Sequence, residues 1–232
     1  RDISVTNAGV GVQVSSGISN RFVRVGSMRN GTGFLVQNCV GMVFDRCVAA
    51  VNSGDGLSMT DSDGLMTHSV LWKNGGAGIR ASGGLISVTN SIVVASGSTA
   101  YGYHAATSTN IVGDYNDLFA ESNGVVGFVA SVGRNQDSVA AWTIDTGWER
   151  HSLGVDPQFA DPVSGDFHLK TETSQGRYQP GVGWVLDAVT SPLIDSGNPQ
   201  SSWTNEPTYN GSRVNIGLFG NTEEASKGRS AS

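Results

Sequence analysis

The sequence predicts an all-β solenoid: a right-handed parallel β-helix with coils of about 22–25 residues. Three observations predict it. One phrase, an Asn or Ser, a glycine and a brief apolar alternation, returns six times, with landmark glycines at Gly11, Gly33, Gly56, Gly78, Gly102 and Gly127. Successive glycines lie 22, 23, 22, 24 and 25 residues apart. Apolar side chains fall in columns on that period, and Asn, Asp and Ser fall between the columns.

One and three residues after each glycine stand Val12 and Val14, Phe34 and Val36, Leu57 and Met59, Ile79 and Ala81, Tyr103 and Ala105, Phe128 and Ala130. Between them come Gln13, Leu35, Ser58, Arg80, His104 and Val129. This alternation predicts a strand with one buried face. Eight to ten residues before each glycine is a second column: Ile3, Val25, Val48, Val70, Ile92 and Leu118. Each coil therefore holds two strands, and a third is expected around 42–44, 65–66 and 86–88. The turn positions Asn7, Asn30, Asn52, Asn74 and Asn123 predict an Asn ladder, in which side chains bond from one coil to the next. The column Val48, Val70, Ile92 is expected to stack as an apolar wall. A leucine-rich repeat is excluded because its L-x-x-L-x-L pattern is absent.

Composition excludes several classes. With 38% hydrophobic and 15% charged residues, 232 residues are enough for a sizeable core. The net charge of -6 lacks the basic footprint of a nucleic-acid binder. No apolar run approaches the ~20 residues of a membrane-spanning helix. Cys39 and Cys47 are read either as one disulfide or as two buried thiols. The chain opens on Arg1 inside a repeat, which leads us to expect further coils upstream.

The division expected along the chain is regular coils over 1–132, an excursion packed on the helix over 133–154, C-terminal coils and cap over 155–226, and a frayed tail over 227–232. Short strands are expected near 193–194 and 214–218. In the excursion, Trp142 and Trp148 either anchor the loop or offer aromatic platforms for sugar.

The tail carries Asp156-Pro157-Gln158-Phe159, Gly165-Asp166-Phe167-His168-Leu169, Ser191-Pro192-Leu193-Ile194-Asp195-Ser196-Gly197 and Asn205-Glu206-Pro207. It then runs Arg213-Val214-Asn215-Ile216-Gly217-Leu218-Phe219-Gly220-Asn221-Thr222. These phrases resemble the C-terminal end of secreted bacterial right-handed parallel β-helix repeat proteins, and the upstream coils resemble that family's Asn-Gly rungs. The resemblance implies the fold and a secreted or cell-surface location. It implies no single activity, because fold does not carry function.

Residues one period apart on an outward row become neighbours at about 4.8 Å. Ser58, Arg80 and His104 form such a row, with Lys73 on a nearby strand and His68 one coil earlier. Together Arg80, His104 and Lys73 make a candidate cationic groove for a uronate polysaccharide lyase, which must neutralise a carboxylate and abstract a proton. A glycoside hydrolase would need paired carboxylates, and a strand would put Asp114 and Asp117 on opposite faces. Asp55, Asp61 and Asp63 are the candidates for Ca2+; no other cofactor is expected. The expected function is an extracellular module of a larger surface or secreted protein, structural, adhesive or fibre-forming. Its expected partners are further coils or like subunits end to end, or a polysaccharide, with no nucleic acid and no membrane span. The alternatives are a polysaccharide lyase and a non-catalytic carbohydrate-binding module.

Overall fold

The structure, a computed structural model, describes residues 3–173 and 176–228. Each of the first five coils contributes one short strand to each of three parallel sheets, and the sixth contributes to two of them. Sheet A stacks Ile3–Thr6, Val25–Met28, Val48–Ala50, Val70–Trp72, Ile92–Ser96 and Asp117–Glu121. Sheet B stacks Val10–Ser15, Thr32–Gln37, Leu57–Thr60, Ala77–Ser82, Tyr101–Ala105 and Val125–Val129. The expected third strands form sheet C: Arg21–Val23, Met42–Asp45, Gly64–Thr67, Ile86–Thr89 and Ile111–Asp114. This is a parallel β-solenoid of about six turns.

The corners explain the polar columns. At most corners a residue takes the left-handed conformation: Asn7, Arg29, Val51 and Lys73 from A to B; Ser16, Asn38 and Asp61 from B to C; Arg24, Arg46, His68, Asn90 and Tyr115 from C to A. For side chains such as Val51 this conformation costs roughly 1–2 kcal/mol, and the next residue offsets it. That residue points inward and bonds its neighbouring coil. Asn52 Oδ1 accepts from the Asn30 amide at 2.9 Å, and Asn74 Oδ1 from the Asn52 amide at 3.1 Å. The C-to-A corner carries Cys47, Ser69, Ser91 and Asn116, each amide donating to the next side chain's oxygen at 3.0–3.1 Å. The B-to-C corner uses Cys39, whose amide donates to Ser62 Oγ at 3.0 Å. Both cysteines are therefore free, buried ladder residues. The Asn ladder has three rungs rather than five: Asn7 and Asn123 are themselves the exposed left-handed residues.

Gly11, Gly33 and Gly56 face the Asn ladder, and Gly78 and Gly102 face the next coil's backbone and Val93. A Cβ on Gly33 would lie 2.4 Å from Gly56 O and 2.9 Å from Asn52 Nδ2. Gly127 has another cause, since a Cβ there would strike the Trp142 ring at 2.3 Å.

Sheet A differs from expectation in which face is apolar. Val48, Val70 and Ile92 do stack, but on the outer face, while Ala49, Leu71 and Val93 line the interior. Both faces are buried, so the strands read as unbroken apolar runs. The expected column also slips by one at two places. Val48 pairs with Gly26 rather than Val25, and Ile92 with Asp117 rather than Leu118. In the last coil of sheet B, Phe128 pairs with outward His104, and Val129 points in. The interior requirement wins: Val25, Leu118 and Val129 are needed inside.

The excursion closes one end. Arg134–Gln136 pairs antiparallel with Val125–Val129 and ends sheet B. A helix, Val139–Thr146, follows, capped by Ser138 and by left-handed Gly147. Its Trp142 is fully buried against Tyr103, with ring centroids 5.3 Å apart.

Segment 155–226 does not continue the coils. It forms two antiparallel hairpins, Phe159–Asp161 with Asp166–Leu169 and Arg177–Gln179 with Gly183–Val185, joined by turns. It runs back along the outer face of sheet A and covers Val48, Val70, Trp72, Ile92 and Val94 with Phe159, Phe167, Leu169, Leu193, Ile194 and Ile216. No strand forms at 193–194 or 214–218; those residues are buried anchors between turns. Lys227 and Gly228 are tied to Gly176 and Tyr209, so the expected fraying does not begin at 227; 229–232 lie outside the described residues.

Candidate functional site

The outer face of sheet B bears the expected row. Backbone register runs Gln13, Leu35, Ser58, Arg80, His104, Phe128, one residue per coil. All three predicted row members are there as neighbours, but their partners change the chemistry. Arg80 Nε and Nη2 donate to both carboxylate oxygens of Asp55, at 2.7 and 3.1 Å. Asp55 also accepts from the Ala77 amide at 2.7 Å. It lies one coil before Arg80, and this pairing is legible in the sequence once the register is known. The guanidinium is thus neutralised and fixed in a bidentate geometry.

His104 packs edge-on to Tyr101 at 5.5 Å and against Phe128 at 5.1 Å. Burial, and then the nearby Arg80 charge, hold its imidazole below the ordinary histidine pKa. It is neutral at neutral pH. Tyr101, His104 and Phe128 form a half-exposed aromatic strip running directly on from Arg80.

The rest of the expected groove does not assemble. Lys73 occupies the A-to-B corner, forms an ion pair with Glu121 and lies 5.0 Å over the Trp72 ring. His68 sits at the C-to-A corner, 8% exposed, beneath Gly220 of the tail. Desolvation, then the Arg46 charge, push its pKa down to about 4. The calcium candidates are also separated. Asp55 precedes the strand Leu57–Thr60, whereas Asp61 and Asp63 follow it, and Asp63 accepts from the Leu85 amide. Among the described residues no group of three or more His, Cys, Asp or Glu is placed to hold a metal.

Fully buried Trp142 plugs the core and is no platform for sugar. Trp148 is 41% exposed and stays accessible. Asp114 and Asp117 are apart, as expected. Asp114 accepts from His151, whose ring stacks on Tyr115 at 4.9 Å; Asp117 lies buried under the tail, where desolvation pushes its carboxyl up to about 8.

Sequence reasoning missed a buried cluster at the closed end. Glu149 accepts from Tyr103, from both reaches of Asn116 Nδ2 and from Ser152. Burial raises its carboxyl to about 7. Sealed from solvent, this cluster fastens the excursion to the last coil. A cleft of about 780 Å³ lies elsewhere, between the first strands of sheet A and the tail, lined by Ile3, Met28, Val48, Phe167, His168 and Phe219 among others. It opens where outward Gly26 offers no side chain to the tail.

The open face of sheet B presents Arg80, paired with Asp55, beside the aromatic strip. A lyase needs a cation free to meet the uronate carboxylate, and Arg80 is already taken by Asp55. A hydrolase needs two facing carboxylates; the row itself holds none, and the acid beside it, Asp55, is paired with Arg80.

No protein-family model matches the chain, and no curated protein matches it. Among solved structures, it is similar to one described as the crystal structure of pectate lyase Pel9A, with a TM-score of 0.41 and 17% identity, covering 93% of this chain and 69% of that one.

Proposed function

We propose that this chain is a secreted or cell-surface β-helix module that adheres to polysaccharide without cleaving it, along the outer face of sheet B. One observation carries the reading. Tyr101, His104 and Phe128 form an aromatic strip on that face, continuous with an Arg80 held rigid by Asp55. Aromatic faces suit the apolar face of a pyranose, and a guanidinium fixed by its own carboxylate still has N–H groups to donate to sugar hydroxyls. Successive coils repeat at about 4.8 Å, so such a face suits an extended chain rather than a single sugar.

Affinity electrophoresis against neutral and uronate polysaccharides tests this. Retardation by at least one polymer is expected, weakened about 2–12-fold by each of Tyr101→Ala and Phe128→Ala. Absorbance from new C=C bonds is expected to stay flat on every uronate polymer. Binding unchanged in the double variant would remove the site, and rising absorbance would replace adhesion with lyase activity.

A second reading concerns assembly. Among the described residues, strands Ile3–Thr6, Val10–Ser15 and Arg21–Val23 each pair on one side only, in contrast to the closed end. Such edges accept further coils or a like subunit. Concentration-dependent sedimentation would distinguish end-to-end association from a monomer.

A further inference from the structure

We infer that the ligand of the sheet B face is an uncharged polysaccharide, held on the first four coils by the amide and hydroxyl side chains of Gln13, Ser15, Gln37, Ser58, Thr60 and Ser82. This rests on the adhesive reading of that face and extends the site beyond the aromatic strip. Two outward rows run side by side there. One is Gln13, Leu35, Ser58, leading to Arg80; the other, two residues further along each strand, is Ser15, Gln37, Thr60, Ser82. Neighbours lie about 4.8 Å apart along a row and about 7 Å apart between rows. All these polar side chains are exposed or half-buried, and none hydrogen-bonds another described residue. The corner serines are spent by contrast: Ser62, Ser69 and Ser91 each donate to a backbone carbonyl at 2.7–3.0 Å. Solvation alone does not fill a row this way. Sheet C also turns an outer row to solvent, and it runs Arg21, Val43, Leu65, Ser87, Val112, with Arg21 paired to Asp45.

Charge decides the class of glycan. The two rows carry one ionic side chain, Arg80, and Asp55 takes it with both oxygens. His104 is neutral at neutral pH. Asp61, exposed just past Thr60, adds a carboxylate that pairs with no described cation. A uronate polymer brings a carboxylate on every sugar, and each one loses hydration that a cation must replace. A neutral glycan brings hydroxyls, which donate and accept, and Gln amides with Ser and Thr hydroxyls match both roles. From Gln13 to Phe128 the track covers five coil steps, about 24 Å, so it engages a run of sugars.

The test is affinity electrophoresis at neutral pH against neutral polymers, a glucan and a mannan, and uronate polymers, polygalacturonate and alginate. A neutral polymer is expected to bind about tenfold more tightly than either uronate, and raising NaCl from about 0.05 to 0.5 M should leave its binding unchanged. Gln37→Ala and Thr60→Ala should each weaken it about 2–12-fold. Their Tm should not change, because neither side chain has an internal partner to lose. Preference for a uronate polymer, still weakened in Tyr101→Ala, overturns the inference and leaves adhesion at the strip standing. Neutral binding unchanged in the Gln37→Ala, Thr60→Ala double variant also overturns it, since the site is then the strip alone. Binding to no polymer removes the adhesive reading and this inference together.

Discussion

Sheets A and B are built by the same coils, yet their outer faces have opposite fates. The outer columns of sheet A are Val48, Val70, Ile92 and Ala50, Trp72, Val94, and the tail buries them. The outer row of sheet B is Ser58, Arg80, His104 and Phe128, and none of it is covered by the tail. One face is a second hydrophobic core. The other keeps aromatic and charged groups half-exposed without a packing reason, which is why it carries the functional proposal. The face with the most apolar repeat is the one least available for binding.

The largest effect expected is at the closed end, where Trp142 packs against Tyr103 and Gly127 of the last coils of sheet B. Trp142→Ala should cost about 3–5 kcal/mol in chemical denaturation. Trp142→Phe should cost much less, because the buried indole N–H has no partner to lose. The covered face comes next. Ile92→Ala should cost about 2–4 kcal/mol and should speed proteolytic release of the tail; a variant that kept the tail protected would break the contrast between the faces.

Acidity separates the regions further. The raised carboxyls of Glu149 and Asp117 are protonated in the folded chain at pH values where they ionise in the unfolded chain. The folded state then binds more protons, so stability falls as pH rises. For Glu149 the window runs from 4.5 to about 7, and for Asp117 from 3.8 to about 8. His104 on the open face has the opposite sign: its lowered pKa makes it lose stability as pH falls below 6.5. Unfolding midpoints between pH 4 and 8 should show the acid slope flatten in Glu149→Gln. Smallest is Arg80→Ala. Its side chain is 36% exposed, so the ion pair contributes about 0–1 kcal/mol, and the effect should appear in glycan binding rather than in Tm.

Much of the coil was legible because stacking forces like residues into columns. The period, the three strands per coil and the row Ser58, Arg80, His104 follow from that. The slips at Val25 and Leu118 were not legible, because two adjacent apolar residues look alike until one knows which face is inside. The covered face was hidden for a related reason. Val48 through Ala50 is apolar on both sides, and only the tail decides that both are buried. The tail's own anchors, such as Leu193 and Ile216, lie among turns with no period to read. Asp55 was legible as an acid and misread as a calcium ligand, since its partner Arg80 is 25 residues away.

The two ladder cysteines give the molecule built-in reporters. Cys39 sits at the B-to-C corner, next to the open face, with no exposed surface; Cys47 sits at the C-to-A corner, beside the tail, and burial pushes its thiol up to about 11. Neither thiolate is accessible while its corner is closed. Labelling by a thiol reagent under native conditions therefore clocks the opening of each corner separately. If the tail clamps its side of the coils, Cys47 labels more slowly than Cys39, and removing the tail erases the difference.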